Sequence, residues 1–167
     1  MDEFNNYVFH SKKEIEKYVD NLIMILNNER NKKLEINKSK INEYEKQFHQ
    51  FMKEHDENIQ KSLINYTKKE KDIYFLLYKT TSKNWIFFYN NNKKIKQIAQ
   101  TNDITLEKCN ELFDLCNNHK QIFEKTFDYY KNIIKDLVDI KIDIENDFND
   151  MLEKIYDIAK EKIINLS

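Results

Sequence analysis

In the last third of the chain apolar residues recur at alternating steps of four and three: Phe123, Phe127, Tyr130, Ile134, Leu137, then Ile144, Phe148, Met151, Ile155 and Ile158. Only Lys141 and Lys162 interrupt the series. Steps of four and three return to one side of a 3.6-residue helix, so the spacing predicts a long helix over roughly 121–165 with one face to bury. With Phe127 at heptad position a and Tyr130 at d, the e and g positions include Val138, Leu152, Ala159, Ile133 and Ile140. A two-stranded coiled coil prefers charge there. A stripe this wide predicts a helix covered by two or more partners, with Asp136, Asp143, Asp150 and Asp157 as a solvent-side acidic row.

Earlier segments supply the expected cover. Residues 1–10 read as a lead-in whose Phe4, Tyr7, Val8 and Phe9 can dock on a core. Ser11-Lys-Lys-Glu14 reads as a capping box, in which the Ser hydroxyl accepts an orphan helix N–H and the Glu side chain reaches back. A first helix follows with Ile15, Tyr18, Val19, Leu22, Ile23 and Leu26 inward, and the polar run 27–33 reads as a turn. A second long helix is expected from 33 into the seventies, carrying Leu34, Ile41, Tyr44, Phe48 and Phe51. Its stripe shifts by one past Met52 and resumes at Ile59, Leu63, Tyr66, Ile73 and Leu77. Such a stutter relaxes supercoiling. This helix is the natural antiparallel partner of the C-terminal one.

Residues 73–100 admit two readings. The apolar runs 73–78 and 85–89 flank a polar hexapeptide, 79–84, as in a small β-hairpin over 73–90. The favoured reading is helical, with a capped turn and a new helix carrying Trp85, Phe88, Tyr89, Ile95 and Ala99 on one face. A capped start near Thr101–Asp103 leads into a helix over 104–116, and 117–119 reads as a turn or kink before the last helix. The expected fold is all-α: a single domain over 1–167, an elongated helical bundle on two long antiparallel helices with shorter ones beside them.

Composition narrows the chemistry. The 167 residues contain no Gly and no Pro. Tight β-turns and phosphate-cradling loops depend on those residues, so all-β and dinucleotide-binding folds are disfavoured. Lys outnumbers Arg 27 to 1, and Asn and Ile are abundant while Ala is scarce, which reads as the codon usage of an AT-rich genome. Net charge is −1, but residues 1–100 carry +5 (19 basic, 14 acidic) and 101–167 carry −6 (9 basic, 15 acidic). A basic half packing antiparallel on an acidic half accounts for this asymmetry. No secretory signal or apolar run of spanning length is visible, which points to an intracellular, reducing compartment, or to a host cytoplasm if a pathogen encodes the chain. Cys109 and Cys116 lie seven apart on a predicted helix, about 10.5 Å along its axis, beyond disulfide reach. They read as buried free thiols.

Candidate chemistry is sparse. The histidines are His10, His49, His55 and His119, and neither His-Glu-x-x-His nor Glu-x-x-His occurs. No metal or other cofactor is expected, and His49 and His55 read as surface or boundary residues. Glu107, Glu111 and Asp114 near the cysteines would raise a thiol pKa, which disfavours a nucleophile. The strongest non-structural signal is 79–100, which holds Lys79, Lys83, Lys93, Lys94 and Lys96, no acid, and Trp85, Phe87, Phe88 and Tyr89. The plain reading is that the aromatics are core and the lysines solvated; beyond it, aromatics among basic residues suit an interface centre with a charged rim, or stacking on single-stranded nucleic acid.

The reading is a non-enzymatic helical protein–protein interaction module: a scaffold subunit, adaptor or partner-binding factor. Trp85, Phe88 and Tyr89 would be its anchors and Lys93, Lys94 and Lys96 its rim. The partner would be another protein, with a second copy as one option. One alternative is a small inhibitor encoded by a virus, phage or parasite that docks on a host protein. Another is a nucleic-acid-binding accessory factor using 79–100, which a single Arg disfavours.

Overall fold

A computed structural model describes residues 1–79 and 92–166. The described residues are all-α, in five helices: α1 (Asp2–Asn6), α2 (Lys12–Ser62), α3 (Lys68–Tyr78), α4 (Lys93–Thr101) and α5 (Leu106–Asn165). No strand occurs among them. The chain forms two compact units, one of residues 1–45 with 132–167 and one of residues 46–131, so α2 and α5 contribute to both.

Three expected boundaries are corrected. The polar run 27–33 is not a turn, because α2 runs through it to Ser62. It contains no helix breaker, and a continuous ladder leaves no backbone group unpaired there. Nor does a second helix extend into the seventies, since the chain turns at 63–66 and restarts at α3. Residues 117–119 continue the helix without a turn. The hairpin reading also fails for its first strand, because 73–78 is helical. Its second strand, 85–89, lies outside the described residues.

In the first unit α2 and α5 run antiparallel, as Asn37 meets Leu137 and Arg30 meets Phe148. Ile15, Val19, Ile155 and Ala159 form a core with Phe4 and Phe9, which the lead-in docks as expected. Tyr7 and Val8 stay exposed. Phe4, Tyr7, Phe9 and Tyr18 pack ring on ring at 4.6–5.9 Å. Lys162, an interruption of the apolar stripe, has a task here. Its ammonium donates to the carbonyls of Asn5 and Tyr7 at 3.0 and 2.9 Å, satisfying backbone acceptors where α1 ends.

The start of α2 is capped nearly as expected. Ser11 Oγ accepts the Glu14 N–H at 3.2 Å, but the Glu14 carboxylate takes the N–H of His10, one residue before the cap, at 3.0 Å.

The second unit is a four-part helical cluster. Antiparallel pairing is written in its rings: Phe48 on Phe127 and Tyr130 (5.7 and 5.6 Å), Phe51 on Phe123 (6.2 Å), and His55 on Phe123 (5.4 Å). Its core joins Ile59, Leu63, Ile73, Tyr74, Leu77, Ile95, Ala99, Leu112 and Phe113 with both cysteines. Two turns do without glycine or proline. At 63–67 buried Leu63 anchors the corner, and Thr67 opens α3 with a full capping box to Glu70. After α4 the Ile104 N–H reaches back to the Ala99 carbonyl at 2.9 Å, and Asp103 takes a left-handed φ of 53°. That is a Schellman closure with aspartate where glycine is usual. Thr105, not the Thr101–Asp103 stretch, caps α5, accepting the Lys108 N–H at 3.1 Å.

Candidate functional site

The anchors named from sequence, Trp85, Phe88 and Tyr89, lie outside the described residues. The rim lysines are described. Lys93 and Lys94 are exposed on the first turn of α4, and Lys96 is half-buried. Asn92 caps this helix, its side-chain oxygen accepting the Ile95 N–H at 3.1 Å. Ile95 and Ala99 are buried in the core, and the other three residues of the expected shared face lie outside the described residues. Lys94 and Lys79 line a groove of about 280 Å³ between α3 and α4, with Asp72, Phe75, Leu76 and Ile98. Phe75 is 40% exposed there. The groove therefore pairs an apolar floor with two lysines and one carboxylate.

A second feature of this unit has little sequence signal. His55 and His119 are 5% and 8% exposed, so the surface reading of His55 is corrected. His55 sits on the inward face of α2, stacked on Phe51 with ring centroids 5.7 Å apart. Tyr74 Oη lies 2.7 Å from His119 Nδ1, and Ser62 Oγ lies 3.4 Å from His119 Nε2. His55 Nε2 lies 3.4 Å from the Tyr78 hydroxyl. Burial holds both imidazoles below the ordinary histidine range; the nearby His55 adds to the lowering at His119, while Asp56 partly opposes it at His55. Burial likewise pushes Tyr74 and Tyr78 upward. All four groups are therefore neutral near pH 7. Among the described residues no group of three or more His, Cys, Asp or Glu side chains is placed to hold a metal ion.

Both cysteines are free and buried, as expected. The cause of their raised pKa differs from the expected one. Burial pushes Cys109 up first, with Glu70 adding to it, and burial carries Cys116 to about 11 against the opposing Lys120. The acids named from sequence are not the source. Elsewhere in this unit Tyr66 donates its hydroxyl proton to Glu111, which with burial pushes its pKa to about 12.

In the first unit the one arginine is built into the helix pair. Arg30 lays its guanidinium 4.0 Å over the Phe148 ring and donates through Nη2 to Asn27. Leu26, Lys33, Ile144, Asp147 and Met151 complete an open groove of about 210 Å³ around it with Glu29. More distinctive is what this unit leaves uncovered. Val138, Ile142 and Tyr156 on α5 are 41%, 49% and 56% exposed, and Ile140 is 46% exposed. Helical geometry puts Val138, Ile142 and Tyr156 on one flank of the buried Leu137–Ile155 stripe and Ile140 on the other. On α2, Met24, Ile25 and Ile36 are each more than half exposed. The wide stripe read from sequence is thus only partly covered within the unit.

No helix among the described residues is long and apolar enough to cross a membrane. Comparison with known protein families, with curated proteins and with solved structures gave no match.

Proposed function

We propose that the chain is a non-enzymatic helical protein–protein interaction module whose first unit presents an apolar helical surface to a partner. The observation that carries this reading is the exposure of Val138, Ile142 and Tyr156 along one flank of α5, beside a stripe already buried on α2. Solvent-exposed apolar side chains at helical spacing recruit a further helix by removing their surface from water, at about 25 cal/mol per Å². The α3–α4 groove, with Phe75, Lys79 and Lys94, offers a second, more polar contact next to the basic segment singled out from sequence.

The test is light scattering coupled to size exclusion over a concentration series, for the native chain and a Val138→Lys, Ile142→Lys, Tyr156→Lys variant. A native dimer or larger assembly that the variant abolishes supports the reading, with a second copy as partner. If the native chain is a monomer throughout, a photoreactive side chain at Ile142 must capture one defined protein. That capture must saturate, and must be competed by the native chain but not by the variant. Failure of both arms overturns the reading.

A further inference from the structure

The buried histidines of the second unit take no part in the proposed interface. They join three helices through a chain of hydrogen bonds whose proton positions can be worked out. Ser62 donates its only hydroxyl proton to the Asn58 carbonyl at 2.8 Å. Toward His119 Nε2, at 3.4 Å, Ser62 Oγ can therefore only accept. Nε2 then carries the imidazole proton, and Nδ1 is the acceptor for the Tyr74 hydroxyl at 2.7 Å. Neutral His119 satisfies both partners in this tautomer alone.

Protonation breaks the arrangement. An added proton sits on Nδ1 and points at the Tyr74 oxygen, whose own proton must turn away. Tyr74 is 0% exposed, so bulk water does not reach it. The new charge also lies in a site with little solvent to stabilise it, and His55, with its ring centroid 6.2 Å away, meets the same cost.

We propose that the Tyr74–His119–Ser62 chain, with His55 beside it, is an acid-sensitive latch that clamps α3 to α2 and α5 at neutral pH and releases it on acidification. Titratable and polar groups face it from α2, α3 and α5. On α2 they are His55, Asp56 and Ser62, on α3 Tyr74 and Tyr78, and on α5 Cys116, Lys120 and Glu124. From α4 the core receives Ile95 and Ala99, which are apolar. Asp56 favours a charged His55, but burial outweighs it. The tyrosines and Cys116 stay neutral, and Lys120, which donates to the Leu77 carbonyl at 3.3 Å, carries the same sign as an imidazolium.

The sign follows from linkage. Both folded histidines hold their protons less tightly than the unfolded reference of 6.5, so the released state binds more protons as pH falls. The clamp is complete above about pH 6.5 and weakens as pH drops below it toward the folded values.

The experiment is amide hydrogen exchange on the full chain at about pH 7.5 and about pH 5.5, with intrinsic rates corrected. At the lower pH, residues 73–78 should lose about tenfold or more of their protection, while the α5 amides around Ile155 change little. A His55→Gln, His119→Gln variant should show no such difference. Equal native protection at both pH values, or the same loss in the variant, overturns the proposal. If the variant does not fold, an NMR titration of the native imidazoles decides. Midpoints below 6.5 for both support the latch, and a midpoint at or above 6.5 for His119 overturns it.

Discussion

Asn37 and Leu137, one hundred residues apart, are joined by a single hydrogen bond: the Asn37 amide donates to the Leu137 carbonyl at 2.9 Å. Asn37 is 5% exposed, a polar side chain buried between the two helices. A helix carbonyl has a second lone pair to offer, so the bond forms without breaking the α5 ladder. It favours one alignment of α2 on α5, since a slip in either direction buries an unpaired amide. Asn37→Ala should lower stability by about 1–2 kcal/mol, read as a fall in the urea midpoint. Asn37→Leu should recover most of the loss through apolar burial. An unchanged midpoint for Asn37→Ala would show that the bond contributes nothing net.

Asp103 makes the opposite prediction, a gain. Its left-handed φ of 53° is costly for a residue with a Cβ, and the turn after α4 calls for glycine there. The steric cost of about 1–2 kcal/mol is partly offset by the greater entropy that glycine loses on folding, about 0.5–1 kcal/mol. Asp103→Gly should therefore stabilise by roughly 0.5–1 kcal/mol, and Asp103→Val should destabilise. A thermal melt of the pair checks both signs.

Thr67 opens α3 with its side-chain oxygen accepting the Glu70 N–H at 3.2 Å, while the Glu70 carboxylate takes the Thr67 N–H at 2.8 Å. Thr67→Ala should cost about 1 kcal/mol, and Thr67→Ser should be close to neutral. Exchange rates at the first amides of α3 should rise in the alanine variant alone.

Lys162 ties the end of α1 to α5 through two carbonyls, with its ammonium 5.9 and 5.6 Å from the Phe4 and Phe9 ring centroids. Lys162→Met keeps the apolar stem and removes the ammonium. The expected result is faster proteolytic cleavage within residues 1–10, with little change in the melt of the long helices. Unchanged cleavage would mean that Phe4 and Phe9 hold the segment unaided.

The thiols give a simple chemical test. With Cys116 at about 11 and Cys109 raised by burial, neither is a thiolate near pH 8. Native protein should react with a thiol-specific disulfide reagent far more slowly than urea-unfolded protein, which should titrate both cysteines promptly. Fast native labelling would place a sulfur at the surface.

Much of this was legible one residue at a time. The four–three rhythm of Phe123–Ile158 marks the buried side of α5, and the Phe48–Phe51 stripe meets it as expected. Part of the breadth of that stripe reappears as exposed Val138 and Ile140. Thr67-Lys-Lys-Glu70 repeats the Ser11-Lys-Lys-Glu14 pattern, and the same capping-box signal marks the start of α3. The asparagines were harder. Their abundance carries no signal, yet Asn37, Asn92 and Asn102 each make a bond that fixes an alignment or a helix end.

The sequence by itself determined that the described chain is helical and which sides of its long helices turn inward, because both depend on local spacing and on the absence of Gly and Pro. Tertiary structure alone decided the rest. A polar run such as 27–33 is a turn or a helix according to whether the flanking stripes continue on one partner. His119 becomes a buried, neutral acceptor only because Ser62 and Tyr74, 57 and 45 residues away along the chain, arrive at its two nitrogens. Burial and proton placement arise from groups that local spacing cannot bring together, and those are what give the second unit its proposed response to acid.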